Sequence, residues 1–263
     1  NLKSDKVIDA KNKIIIPGLI DSHVHFREPG QTHKEDFLTG SMAAATGGIT
    51  TVLDMPNTLP PTTNLQRLDE KRRLARKSIV NYGFHFGSTN DNIAEIQKVE
   101  NVASVKVYMD YTTGDLKVDD EHALKNIFSS NKTVAVHAEN EHILQAIELI
   151  QHSNNHLYFC HISSKEELHY ARRGRLKNKV FVEVTPHHLF MTAKNLNELG
   201  SFGEMKPSLK TEEDQKALWE GIHNGKVDTI ATDHAPHTKE EKLDPNYPYG
   251  VPGCETMLPL LLN

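Results

Sequence analysis

A chain of 263 residues has room for one large core, and its only two cysteines, Cys160 and Cys254, give no disulfide framework, so a reducing cytoplasm is the expected compartment. A formal net charge of −5 argues against nucleic acid or an anionic membrane as partner. No apolar run approaches the roughly 20 residues that span a bilayer, and no signal peptide is visible.

Short β-branched runs recur along the chain at residues 14–24, 49–55, 81–87, 104–109, 133–137, 157–162, 180–184 and 228–232. Amphipathic stretches such as 32–46, 65–77 and 212–223 lie between them, the pattern of parallel βαβ units. Residues 62–64 offer a helix cap before the second stretch, and Gly47-Gly48 closes the first. The Lys/Arg cluster at 71–77 alternates with Leu74 and Ala75 like the solvated face of a helix. Eight such units predict an α/β fold, a (β/α)₈ barrel. The alternative, an open doubly wound sheet, predicts a glycine-rich phosphate loop after the first strand, whereas residues 18–26 are dense in histidine. The chain starts at Asn1 rather than Met and stops within 255–263, which reads as the opening of a helix, so missing segments are expected at one or both ends.

Sixteen histidines are more than a chain of this length usually carries, and several stand beside acids where apolar runs end. In a barrel those strand ends converge on one mouth. The first strand ends Asp21-Ser22-His23-Val24-His25-Phe26-Arg27, and a period of two puts both imidazoles and Arg27 on one face. The fourth strand, Val105-Lys106-Val107-Tyr108-Met109, sets a lysine in an apolar run. Burial disfavours the ammonium and favours a nucleophilic amine, which can take up carbon dioxide as a metal-bridging carbamate. The competing reading is a lysine that snorkels to the mouth or pairs with Asp110. His137 and His161 stand at the next two strand ends, and Asp233 ends the eighth, where a carboxylate can serve as general base. Together His23, His25, Lys106, His137, His161 and Asp233 form a candidate binuclear site. One ion takes His23, His25 and Asp233, the other His137 and His161, with the Lys106 carbamate and a water between them. Nitrogen and oxygen ligands suit two Zn²⁺, with Co²⁺ or Mn²⁺ also compatible. Cys160 on a regular strand points away from the metals, although its neighbour Glu183 leaves an additional metal contact open. His187 and His188 are expected to orient the seventh loop, His234 to be structural, and Lys206 and Lys210 to lie over the mouth.

The residues that carry this site resemble the amidohydrolase superfamily and, within it, the dihydroorotases of the single-barrel and multifunctional pyrimidine type. The carriers are Pro17-Gly18-Leu19-Ile20-Asp21 leading into His23 and His25, Arg27-Glu28-Pro29-Gly30, Met55-Pro56-Asn57-Thr58, Val105-Lys106-Val107-Tyr108, Thr185-Pro186-His187-His188-Leu189, Asp233-His234-Ala235-Pro236-His237 and Pro252-Gly253 with Glu255-Thr256. The resemblance implies the same six metal-site residues and adds substrate-carboxylate roles for Arg27, Asn57 and His237. It implies reversible hydrolysis of L-dihydroorotate to N-carbamoyl-L-aspartate, with Asp233 moving the proton. It further implies residues 1–16 as the edge of a small β-sandwich beside a barrel over 17–263 cut short at its C-terminus, a homodimer, and association with other pyrimidine-pathway enzymes. Hydantoinases, dihydropyrimidinases and allantoinases share the metal motifs and are the alternative, as is a non-catalytic scaffold barrel. A structural salt bridge of Arg27 with Glu28 or Asp36 is the competing reading for that residue.

Overall fold

The computed structural model describes residues 6–111, 116–173, 176 and 178–263. Eight parallel strands follow one another in chain order: β1 (Leu19–Val24), β2 (Ile49–Asp54), β3 (Asn81–Gly87), β4 (Ser104–Tyr108), β5 (Val134–His137), β6 (Leu157–Phe159), β7 (Val180–Val184) and β8 (Thr229–Ile230). Between and after them run the helices α1 (Phe37–Thr46), α2 (Leu65–Leu74), α3 (Ile93–Lys98), α4 (Glu121–Phe128), α5 (Glu141–Gln151), α6 (Lys165–Ala171), α7 (Pro186–Phe190), α8 (Leu196–Leu199), α9 (Glu212–His223), α10 (Lys239–Leu243) and α11 (Met257–Leu262). A sequential strand order excludes the doubly wound alternative, whose strand order reverses at a switch point. The ring closes between β8 and β1 through a parallel bridge from Val24 to His234, with the His25 N–H donating to His234 O at 2.8 Å. Asp21 reinforces this seam. Its Oδ1 accepts the Thr232 N–H at 3.1 Å and its Oδ2 the Thr232 hydroxyl at 2.5 Å, side-chain bonds that stand in for a ladder where β8 is short.

Strands covered on both faces read as near-continuous apolar runs. β4 and β5 are buried at every position, and Val105, Val107, Val134, Val136, Val180 and Val182 join the helices' inner faces in one core. The sequence expectation matches β3, β7 and α9 residue for residue and differs elsewhere for local reasons. β1 begins at Leu19 rather than 14, since Ile14 and Ile15 have no ladder partner and are 90% and 81% exposed. α1 begins at Phe37 rather than 32, because Asp36 accepts from the Thr39 N–H while Thr39 Oγ1 returns to the Asp36 N–H, a capping box that starts the helix there. Asn64 caps α2 as the sequence suggests, and the last three residues of the expected 65–77 helix tighten into a 3₁₀ turn.

One expectation about the helices is overturned. Lys71 is not on a solvated face but fully buried, with Nζ 2.5 Å from Asp54 Oδ2 and 2.6 Å from Met55 O. Helical periodicity places it against the barrel, where the Asp54 carboxylate compensates its charge. Asp54 Oδ1 accepts the Phe26 N–H at 2.7 Å. Burial, outweighing the attraction of Lys71, raises the Asp54 pKa to about 6.

Candidate active site

At the C-terminal mouth of the barrel lies a narrow pocket lined in part by His23, His25, Arg27, Asn57, His137, His161 and Asp233. His23 and His25 project from the end of β1 to the same side, as the period of two requires. Glu183 Oε1 lies 2.9 Å from His23 Nδ1, and Asn57 Oδ1 lies 2.6 Å from His25 Nδ1. Each oxygen takes the Nδ1 hydrogen of its ring, which turns an Nε2 lone pair inward. The two Nε2 atoms are 3.2 Å apart, and Asp233 Oδ1 stands 3.1 Å from His23 and 2.9 Å from His25. Three acceptors at such separations repel unless positive charge lies among them. Burial opposes a charge on His23, but the carboxylates of Glu183 and Asp233 prevail and raise its pKa well above the usual imidazole value. Burial lowers that of His25 to about 4. A proton on His23 meets the demand in part; a divalent cation would meet it for all three ligand atoms.

His137 and His161 form the second half of the cluster, with His137 Nδ1 3.0 Å from His161 Nε2. Their other nitrogens, His137 Nε2 and His161 Nδ1, are buried without a hydrogen-bond partner, the nearest carboxylate oxygen to the former being Glu139 Oε1 at 3.6 Å. Orphaned buried imidazole nitrogens are expensive in an apolar interior and ordinary in a metal site. Lys106 is fully buried on β4, so it does not snorkel, and its Nζ reaches Cys160 Sγ at 2.9 Å. Asp110, the competing partner, is instead held by the Glu139 N–H and by His142. The donor set therefore fits divalent cations.

Two residues depart from regular backbone at the site. His161 and Asp233 have φ of 36° and 50°, a left-handed region that non-glycine residues enter at a cost of about 1–3 kcal/mol. At His161 this overturns a sequence expectation. Regular alternation turns Cys160 away from the metal site when His161 faces in. β6 ends at Phe159, however, and the left-handed turn directs both side chains inward. Cys160 Sγ, Glu183 and His23 then present ligand atoms within 4.8 Å of one another. Glu183 is fully buried and accepts from His23, from the His161 N–H at 2.8 Å and from the Tyr158 hydroxyl at 2.5 Å. The sequence signal for its importance is the one that picks out Lys106: a charge inside a β-branched strand.

Burial opposes ionisation of Asp233, yet the imidazoles of His23, His25 and His161 hold its carboxyl well below the usual range. It is a carboxylate at neutral pH. Arg27 lines the pocket, with Nε donating to Pro236 O at 3.0 Å and Nη2 3.0 Å from His237 Nε2. The carboxylates proposed as structural partners are engaged elsewhere: Glu28 and Asp36 both bind Lys77. Among the described residues no carboxylate lies within salt-bridge range of Arg27. Asn57 also lines the pocket, whereas His237 lies in the wall behind Arg27 and Gly250. Tyr108, Met205, Lys206 and Tyr249 complete the mouth, and the Tyr108 hydroxyl is buried without a partner. His188 bonds Thr185 and Pro207 O, and His234 bonds Glu35, both structural arrangements. Lys206 reaches the mouth as expected, while Lys210 pairs with Glu139 at 3.8 Å.

Residues 14–254 match the amidohydrolase family. The chain belongs to that family. This amidohydrolase is 39% identical to the dihydroorotase of Methanosarcina acetivorans, over 98% of this chain and 65% of that protein. It is 40% identical to the multifunctional protein CAD of Squalus acanthias, over 96% of this chain and 12% of that one. The L-hydantoinase of Arthrobacter aurescens superposes with a TM-score of 0.92 at 26% identity, covering all of this chain and 69% of that one. The chain spans about two thirds of the length of the curated dihydroorotases it matches.

Proposed function

We propose that this chain carries the catalytic barrel of a dihydroorotase, which opens the cyclic amide of L-dihydroorotate to N-carbamoyl-L-aspartate and runs in reverse. The observation that carries the reading is Arg27, a guanidinium lining the pocket beside the histidine–aspartate cluster, with no carboxylate partner among the described residues. Such a group calls for a substrate carboxylate, which its planar fork can grip in two places. Dihydroorotate has that carboxylate; hydantoin and dihydrouracil do not. Asn57 and His237 complete the clamp in this reading. The dihydroorotase relatives support it, and the L-hydantoinase likeness makes a hydantoinase the second reading.

His23, His25 and Asp233 would hold one zinc ion and His137 and His161 another, with Lys106 as a carbamate ligand to both. Bound there, the ions would acidify a water and polarise the ring carbonyl. Asp233 Oδ1 faces the two histidines, where it would serve as a metal ligand, which leaves Oδ2 to hold the proton taken from the attacking water. As the ring carbon–nitrogen bond breaks, Asp233 returns that proton to the departing nitrogen, and in cyclisation it runs the same transfer backwards. Arg27 fixes the substrate's orientation so that the ring carbonyl, not the carboxylate, meets the histidine cluster.

The exposed apolar residues Val7, Ile8, Ile14 and Ile15 support a β-sandwich edge within residues 1–16, of which 1–5 lie outside the described residues. A homodimer in the cytoplasm, associated with other enzymes of pyrimidine synthesis, completes the proposal. The multifunctional relatives support the association, and among the described residues no helix is long and apolar enough to cross a membrane. Turnover of dihydroorotate, hydantoin and allantoin by the metal-replete full-length protein tests the activity. Preference for hydantoin, or a dihydroorotate KM unchanged in Arg27→Met, would refute the substrate assignment. An anomalous-scattering map tests the two ions and the carbamate together.

A further inference from the structure

Behind Arg27 the structure builds a polar chain that the reaction itself does not call for. Lys34 stands before α1 with its side chain only 6% exposed, and its Nζ lies 3.2 Å from His237 Nδ1 and 3.1 Å from Glu241 Oε1. On the other side of the ring, His237 Nε2 is 3.0 Å from both Tyr249 O and Arg27 Nη2. An ammonium has hydrogens to give and no lone pair to offer. Glu241 Oε2 also faces Nδ1 but at 3.7 Å is too far to take a ring hydrogen, so next to Lys34 Nδ1 is the accepting nitrogen and the ring hydrogen sits on Nε2. That hydrogen points towards Tyr249 O, and Arg27 Nη2 then meets another donor, not an acceptor. With no acceptor on that side of the ring, the Arg27 donor beside the pocket is left for an anion.

We propose that Lys34 is a positioning residue for the substrate clamp: by donating to Nδ1 it keeps the His237 hydrogen on Nε2, directed at Tyr249 O, so that the ring has no lone pair to offer Arg27 and the guanidinium stays free for the substrate carboxylate. This rests on the reading of Arg27 as the substrate-carboxylate group. Without Lys34 the ring can carry its hydrogen on Nδ1 and accept from Arg27, and the clamp closes on itself. Two further observations fit. Burial, with Arg27 and Lys34 on either side, lowers the His237 pKa to about 3, so the ring is neutral and has a single hydrogen to place. Gly250 leaves the approach open, since a Cβ there would sit 3.1 Å from His237 Nε2. Glu241 anchors the ammonium: burial opposes its ionisation, but hydrogen bonds from His33, the Thr238 backbone and Lys34 hold its pKa at about 2.

The test uses the full-length, metal-replete protein with Lys34→Met and Lys34→Arg. Long-range ¹H–¹⁵N spectra of the ring nitrogens report the His237 tautomer without reference to turnover. The wild type and Lys34→Arg are expected to show Nε2–H, and Lys34→Met a shift towards Nδ1–H. One misdirected donor to a charged carboxylate corresponds to a rise in dihydroorotate KM of about 10- to 100-fold in Lys34→Met. Its kcat should change by less than about threefold, and Lys34→Arg should restore KM. An unchanged tautomer in Lys34→Met overturns the proposal, as does a shifted tautomer with KM unmoved. Arg27→Met, measured alongside, reports separately on the underlying reading: if it leaves KM unchanged, the carboxylate assignment fails whatever the tautomer of His237.

Discussion

Replacing Lys71 by methionine should destabilise the barrel severely, although the residue sits in a run of lysines and arginines. Lys71 and Asp54 are both fully buried at 2.5 Å, and deleting one partner leaves the other charge stranded. Such losses run to about 3–5 kcal/mol, or a fall of about 6–20 °C in Tm for a domain of this size. Asp54→Leu/Lys71→Met should lie between the wild type and either single variant. It strands no charge but leaves the Phe26 N–H without its acceptor, a cost of about 1–3 kcal/mol, and Met55 O without the Lys71 donor. The pH dependence has a definite sign. Asp54 already titrates near 6, above its ordinary value of 3.8, so its ionisation costs stability as pH rises through that window. Without Lys71 its pKa rises further, so the deficit of Lys71→Met should be larger at pH 8 than at pH 5. Urea unfolding at both pH values measures this. A Lys71→Met variant within about 1 kcal/mol of wild type, or a double variant as unstable as the sum of the singles, would refute the reasoning.

Asp36→Ala should cost about 1–2 kcal/mol at pH 7 by removing the α1 cap and the Lys77 pair. Burial opposes ionisation of Asp36, but Lys77 and the Thr39 N–H hold its pKa at about 2, so its contribution is complete above about pH 4 and fades as pH falls towards 2. Thermal melts at pH 7 and pH 3 should show the smaller deficit at pH 3. Glu183→Gln should weaken metal retention about 10- to 100-fold, measured by chelator competition, because His23 loses the carboxylate that orients its ring. Asp233→Asn should lower kcat on dihydroorotate by about 10²- to 10⁴-fold, since an amide cannot carry the proton.

The composition of the strands determined a parallel barrel, because a sheet covered on both faces must be apolar along its length and a polar interruption there has to be compensated. That reasoning picked out Lys106 within Val105 and Val107, the histidine pair at the end of β1, and Asp233. What periodicity could not reach was any contact set by a turn. The left-handed backbone at His161 brings Cys160 inward beside Lys106, against the alternation of a regular strand. The burial of Lys71 in α2 depended on Asp54 at the end of β2, and the hydrogen on the His237 ring beside Arg27 depended on Lys34, about two hundred residues before that histidine. Local sequence specifies which face a side chain occupies while the backbone is regular; which charge meets which across the barrel is decided only when the ring closes, because those energies depend on distances between segments that share no local geometry.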